Sequence, residues 1–347
     1  MFSKNLKYYR LKNALTKKKL ADRVNVTSMA ITNYENGDRK PSMDVLKNMA
    51  QVLGIRVSDF LVVRNKDIVF CHGEFRKNST LSVAQQDYVC ESVEEYLNRF
   101  MTIVEILGGE VLPEAPETHA IVLSGDDEQD AFSLRKHLGL APEGPIVDLI
   151  GTLENKGILV LESDIDNQKF SGMNGLVNDR PYIVFNPTMT CERNRSTIAH
   201  ELAHLMFIWP VEMKSADIEK RATAISGAFL FPKDDAVREL GLRRRAVSAD
   251  MLLTATEYGI SMLMLAKRAE ICGIITSTAA KTFFMEASTA GWRSKEPSRI
   301  NTEKPQLFEQ LVYRAINEGD ISRQRGAELL KLPYDEVVEH CCFNEES

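Results

Sequence analysis

The stretch from Thr197 to Phe207 reads TIAHELAHLMF. Two histidines, His200 and His204, flank Glu201 inside an otherwise apolar run. On a helix, residues four apart are neighbours on one face. Two imidazoles so placed can both reach one metal ion at about 2.0–2.1 Å. Glu201 projects at a different angle and is better suited to holding a water than to ligating the ion. Ile198, Ala199, Leu202, Ala203, Leu205 and Phe207 surround these groups with apolar side chains, and a dry wall strengthens an ion's field on its water. The plainer reading is a core helix whose histidines are satisfied by hydrogen bonds. Two histidines at i and i+4 around a glutamate make it the weaker one.

A catalytic zinc takes a third protein ligand. Downstream candidates are Glu212, Asp217 and Glu219. Glu212 falls in the loop after Pro210, a less rigid place. Glu219 opens EKRATAISGAFLFP, a helical stretch with small residues at Ala222, Ala224, Ser226, Gly227 and Ala228. Small residues let a second helix come close, which a shared ion requires. Glu219 is therefore the expected third ligand and Zn2+ the expected ion. No oxyanion donor stands out; Arg193, Arg195 and Tyr182 are near in sequence only.

Upstream of the motif, KFSGMNGLVNDRPYIVFN reads as a hairpin. Its second arm, Tyr182 to Phe185, is aromatic and β-branched. That arm or its partner could lie along the site and take an extended peptide as an added strand. Further upstream, residues 128–161 carry two helices and the strand ILVLES. Downstream, a helix from Asp217 to Phe231 stops at Pro232. The last hundred or so residues read as mostly helical. Two stretches there, LLTATEYGISMLMLAKRAEICGII and ISRQRGAELLKLPYDEVVE, have helix-turn-helix-like spacing without basic surroundings. A structural bundle is the expectation, shaping a cleft, pairing two copies or sensing a signal.

The first 65 residues differ in character. They hold 13 Lys/Arg against 5 Asp/Glu, a balance of +8, which leaves −14 for the rest of a chain whose total is −6. They read as short helices broken at NALT, NVTS, NGDRKPS and GIRVS. Within KKKLADRVNVTSMAITNYENG, Leu20 and Ala21 face inward and Asn25 sits in the turn, where left-handed geometry favours Gly or Asn. Val26 and Ile31 fill the space between helices, and Thr27 or Ser28 caps the second one. This is helix-turn-helix spacing. A basic head on an acidic body points to nucleic acid at the head alone. Ser82 to Leu107 then reads as a connecting helix ending at Gly108-Gly109.

The whole chain has 347 residues, 44% hydrophobic and 27% charged, an ordinary globular composition. Cys71, Cys90, Cys191, Cys272, Cys341 and Cys342 form no C-x-x-C pair and read as free thiols. No apolar run approaches the ~20 residues of a membrane span, and the N-terminus lacks the apolar core of a signal peptide. A cytoplasmic protein that does not meet a membrane is expected. The expected fold class is α+β, mostly helical. Four segments are expected: a helix-turn-helix bundle at 1–65, a connecting segment at 66–116, a metal-site α+β domain with a small sheet at 117–235, and a helical domain at 236–347.

The head resembles the XRE/Cro family, on LA, NVT, AITNYENG, RKPS and LKNMAQVLGI taken together. Asn25 stands where that family most often has Gly. The resemblance implies a second helix in the major groove. By position it assigns Ser28, Met29, Thr32 and Asn33 to base edges, Thr27 to the DNA interface beside them, and Lys17, Lys18, Arg39 and Lys40 to phosphates. The run from PYIVFNPTMTCERNRSTIAHELAHL through EKRATAISGAFLFP to GWRSKEP resembles the ImmA/IrrE family of zinc metallopeptidase-like proteins. That family pairs H-E-x-x-H with a Glu opening an E-x-x-A…P helix, which Glu219, Ala222 and Pro232 match. Arg195-Ser196-Thr197 and Ile225-Ser226 depart from its usual Arg-Phe-Thr and Phe-Ala, at packing positions. The resemblance implies a zincin-like domain with His200, His204 and Glu219 on zinc and Glu201 as catalytic base. It also implies limited proteolysis of a regulatory protein, typically a repressor, in a stress or mobile-element switch. The expected partners are a double-stranded operator, a repressor or toxin protein, and a second copy of the chain. The alternative is a non-proteolytic regulator or antitoxin whose zincin domain binds a partner or signal.

Overall fold

The computed structural model describes residues 2–65, 67–73, 81–165, 167–292, 295–298 and 300–341. Cys342, and Arg293 and Ser294 of the GWRSKEP run, lie outside the described residues.

In chain order the elements are α1 (Phe2–Lys12), α2 (Lys17–Arg23), α3 (Ser28–Asn36), α4 (Met43–Leu53), β1 (Phe70–His72), α5 (Val83–Ile106), β2 (Ile121–Val122), α6 (Asp127–His137) and α7 (Leu149–Asn155). Then follow β3 (Leu159–Glu162), β4 (Gly172–Val177), β5 (Arg180–Phe185), α8 (Cys191–Met206), β6 (Phe207–Ile208), α9 (Ser215–Leu230), α10 (Lys233–Leu240), α11 (Met251–Tyr258) and α12 (Met262–Ile271). The chain closes with α13 (Ser277–Thr289), α14 (Leu307–Glu318), α15 (Arg323–Leu330) and α16 (Tyr334–His340). The fold is α+β and mostly helical. No helix among the described residues is long and apolar enough to cross a membrane.

The chain forms two compact units. One holds residues 1–70, helix α5 and the chain from Val312 onward. Compactness thus groups the segments differently from the sequence reading. The helix taken as a connector packs on α1 through Lys4–Glu94 and Lys7–Glu91 ion pairs and a stacked Tyr8–Tyr88 pair. Lys331, between α15 and α16, bonds Glu95 and Tyr8 in the same unit.

Each break foreseen in the head is a physical cap. Thr16, Thr27 and Ser42 accept the backbone N–H three residues on, satisfying donors a helix start leaves open. Thr27, not Ser28, caps α3. Asn25 has φ +56° in the turn. Leu6, Leu20, Ile31 and Met49 are fully buried between the helices. Arg10 lies under them, its Nε and Nη2 donating to Glu35 at 2.5 and 3.0 Å. Both side chains are more than nine-tenths buried.

The other unit is built on a four-stranded sheet of order β1-β4-β5-β3. β4 and β5 are antiparallel, with Asn174 opposite Ile183 and Gly175 opposite Tyr182. Asn178 and Asp179 between them both have positive φ, the geometry of a two-residue type I′ hairpin. β3 runs parallel to β5. Cover on both faces of β5 explains why Tyr182–Phe185 is a continuous apolar run: all four side chains, pointing alternately to either face, are buried.

That order corrects one expectation. Neither hairpin arm is an open edge: β5 lies between β4 and β3, and β1 takes the outer side of β4. Helix α8 crosses β4 and β5 and packs on α9. Its apolar residues join Phe229 of α9, Leu134 of α6 and Leu265 of α12 in one core. The helices α10–α13, read as part of a separate C-terminal segment, share that core.

Removing one partner of a buried ion pair leaves an uncompensated charge. Glu35→Gln should therefore destabilise the head by about 3 kcal/mol, roughly a hundredfold faster amide exchange at Leu20 and Ile31. Exchange at these amides within a few-fold of wild type would show that Arg10 has another partner.

Candidate metal centre and nucleic-acid interface

Thr190 caps α8 by accepting from the Arg193 N–H, and the helix runs without interruption through His200, Glu201 and His204. The next helix, α9, lies against α8 on its small-residue face: Ala222, Ala228 and Ser226 are essentially inaccessible. That close approach brings Glu219, at the solvent end of α9, over the two imidazoles. His200 Nε2 and His204 Nε2 are 3.1 Å apart. Glu219 Oε2 is 3.3 Å from the first and Oε1 is 3.4 Å from the second.

These spacings test whether an ion fits. Four ligands at about 2.0–2.1 Å around a tetrahedral ion lie about 3.3–3.4 Å from one another. The three separations, 3.1, 3.3 and 3.4 Å, are close to that size, with a different Glu219 oxygen facing each imidazole, and the members are two imidazole nitrogens and a carboxylate, the donor set of an open metal site. Among the described residues this is the group of three able to hold an ion. Glu212 and Asp217 are exposed and lie outside it.

The neighbours of the ligands hold them in place. Thr223 Oγ1 donates to Glu219 O at 2.8 Å and lies 3.3 Å from His200 Nδ1. A hydroxyl whose proton is committed to a carbonyl accepts from its other neighbour, so His200 carries its proton on Nδ1 and presents a lone pair at Nε2. Trp209 Nε1 donates to His204 O, and its ring lies 5.5 Å from the His204 ring. Glu201 is only 4% exposed. Asn174 Nδ2, from β4, donates to its Oε2 at 2.7 Å. Gly172, two residues earlier, has no room for a side chain beneath Thr197 and Glu201.

Sequence reasoning missed Asn174, Thr223 and Trp209. None sits in a motif; Asn174 and Thr223 reach the centre because α8 is sandwiched between β4 and α9, and Trp209 because the chain just past α8 turns back onto His204. The oxyanion suggestions fare differently. Arg195 is 3% exposed, paired with Glu303 and bonded to Ile146 O, so it is committed elsewhere. Arg193 is exposed. Tyr182 OH lies 2.5 Å from His72 Nδ1. The other histidines are satisfied: His119 with Phe207 O, His137 with Glu117 O and His340 with Glu336 O.

In the head, α3 presents Ser28 and Met29 outward, with Met29 67% exposed. Thr32 and Asn33 are half-buried. Thr27 Oγ1 is occupied as the helix cap and Thr32 Oγ1 donates to Ser28 O. Lys18, Arg39 and Lys40 are exposed, while Lys17 is 3.6 Å from Glu35.

Residues 6–60 match the helix-turn-helix family model, and residues 153–270 match the peptidase M78 model, described as the IrrE N-terminal-like domain. The chain carries a helix-turn-helix domain and an IrrE N-terminal-like domain. Over 70 residues it is 36% identical to YqaE, an uncharacterized HTH-type transcriptional regulator of Bacillus subtilis (strain 168). The match takes in 20% of this chain and 60% of that relative's length. The helix-turn-helix assignment makes the head a DNA-binding element. The IrrE-like match spans β3 to α12, and so includes all three members of the His/His/Glu triangle.

Trp209 beside His204 offers a direct readout. Co2+ added to the metal-free chain should quench Trp209 fluorescence, and Glu219→Gln should abolish the quenching at micromolar metal. Thr223→Val, which removes the hydroxyl behind His200, should weaken binding about 10–100-fold. Wild-type affinity in both variants would dismantle the site as described.

Proposed function

We propose that the chain is a DNA-binding transcription regulator carrying a zinc-dependent endopeptidase that cleaves a regulatory protein, a repressor being the expected substrate. The observation that carries this reading is the convergence of His200, His204 and Glu219 beside a buried, oriented Glu201.

A zinc ion bound there would act as a Lewis acid on a scissile carbonyl and lower the pKa of water. Every other part belongs to the chain. His200, His204 and Glu219 hold the ion, and Thr223 fixes the His200 tautomer. Glu201 takes a proton from the attacking water on one carboxylate oxygen and passes it to the departing amine. Asn174 Nδ2 donates to Oε2 of that carboxylate and orients it.

In the head, α3 would enter the major groove, with Ser28, Met29, Thr32 and Asn33 toward base edges and Thr27 at the helix start. Met29 suits a thymine methyl. Lys17, Lys18, Arg39 and Lys40 would meet phosphates. A cytoplasmic location and a paired, homodimeric chain on its operator accompany this reading.

Glu201→Gln separates proteolysis from mere partner binding. With zinc retained, the variant should lose cleavage by roughly a hundred- to ten-thousandfold and with it the regulatory output. An unchanged output with zinc bound would move the function to binding, as in an antitoxin-like regulator. For the head, Arg39→Ala with Lys40→Ala should weaken all sequences selected from a random duplex library alike and lower the salt slope by about two. Met29→Ala should instead change which sequences are selected. An unchanged slope and selection would remove these residues from the interface.

A further inference from the structure

The outer side of β4 is the sheet position nearest the Asn174–Glu201 pair, and the chain itself fills it. Three residues do so: Cys71, His72 and Gly73. They group with the metal-centre unit, whereas residues 1–70 before them and helix α5 after them group with the other. Cys71 is exposed, and His72 and Gly73 are half-buried. Main-chain and side-chain contacts share the holding. The Gly73 N–H donates to Asn174 O at 2.8 Å, and His72 Nδ1 meets Tyr182 OH. Cys71 O lies close over the bare Cα of Gly175.

Gly73 makes the approach possible. A Cβ there would stand 2.7 Å from Asn174 Oδ1 and 2.8 Å from Asn174 O. The side-chain amide could turn away only by releasing Glu201, and the backbone oxygen cannot move without breaking the strand. The residue at this position therefore has to be glycine.

We propose that the outer edge of β4 is a strand-binding site for polypeptide and that Cys71–Gly73 is its occupant in the resting chain. The proposal rests on the endopeptidase reading for its purpose, since it states how the substrate of that site is bound and why the chain is latent. A substrate is then an extended protein segment that displaces residues 71–73 and places a glycine over Asn174. Such a segment gains main-chain hydrogen bonds from the strand edge, and the Asn174 position supplies the selection.

The test uses the full chain and needs no hydrolysis, so it fails or succeeds independently of Glu201→Gln. In wild type the Gly73 amide should exchange at least about tenfold more slowly than an unstructured amide. Gly73→Ala should remove that protection. It should also bind a capped peptide of residues 68–73, acetyl-IVFCHG-amide, about tenfold more tightly than wild type does. The same peptide with valine in place of its glycine should not bind. His72→Ala, which leaves the backbone free to pair, should shift both readings the same way by a smaller factor. An unprotected Gly73 amide in wild type would overturn the proposal. So would a folded Gly73→Ala chain that keeps the protection and binds the peptide no better.

Discussion

A helix buried on all sides can keep two imidazoles and a carboxylate only where each polar atom has a partner, because an unpaired one costs several kcal/mol. Helix α8 lives under that constraint. His200 and Glu201 are both more than nine-tenths buried, and their neighbours are chosen accordingly. Thr223 answers His200 Nδ1, Asn174 answers Glu201 Oε2, and Glu219 faces both Nε2 atoms. At the centre of the triangle two Nε2 atoms and a carboxylate converge, a donor set that a cation would draw together.

The two elements that sandwich α8 supply different things. From α9 come a ligand and a tautomer-setting hydroxyl, four residues apart on one face. That face can come close because Ala222, Ser226 and Ala228 add no bulk to it. From β4 comes Asn174, on the side of the strand that faces α8, with Gly172 bare beside it so that the helix can sit down on the sheet. Larger side chains at either face would lift α8 and open the triangle. The packing of small residues is thus a condition for the chemistry, not a background to it.

This division also explains what could be read from the chain alone. The head was legible because its signals are local: caps at Thr16, Thr27 and Ser42, a left-handed Asn25 and a charge balance. The ligands were legible because the i, i+4 pair is a helical regularity and Glu219 opens a stretch with its own small-residue pattern. The type I′ hairpin was announced by its Asn-Asp turn. Asn174 and Thr223 were not legible, since their meaning lies in a neighbour on another element, and Trp209 was not, since its residue type alone does not mark the bond back to His204 O. The occupancy of the β4 edge was hidden for a stronger reason. Phe70–His72 is too short to show a strand's alternation, and it pairs with residues a hundred positions away. Compactness across the chain was hidden likewise, because the core shared by α8 and α10–α13 is assembled from pieces each of which reads as an ordinary amphipathic helix.

On the proposed function, a DNA-bound peptidase would face a problem of selectivity that the head and the β4 edge solve differently. Tethering at an operator raises the effective concentration toward any protein bound nearby, to the order of millimolar for short flexible linkers. At that concentration a weakly selective cleft would cut indiscriminately. An edge already paired with the chain's own backbone imposes a threshold, since a substrate must replace hydrogen bonds that the resting chain makes. A glycine requirement narrows the choice further, because most extended segments would meet Asn174 with a side chain. On this view proximity comes from the head and discrimination from the β4 edge, and neither could be relaxed without the other becoming harmful.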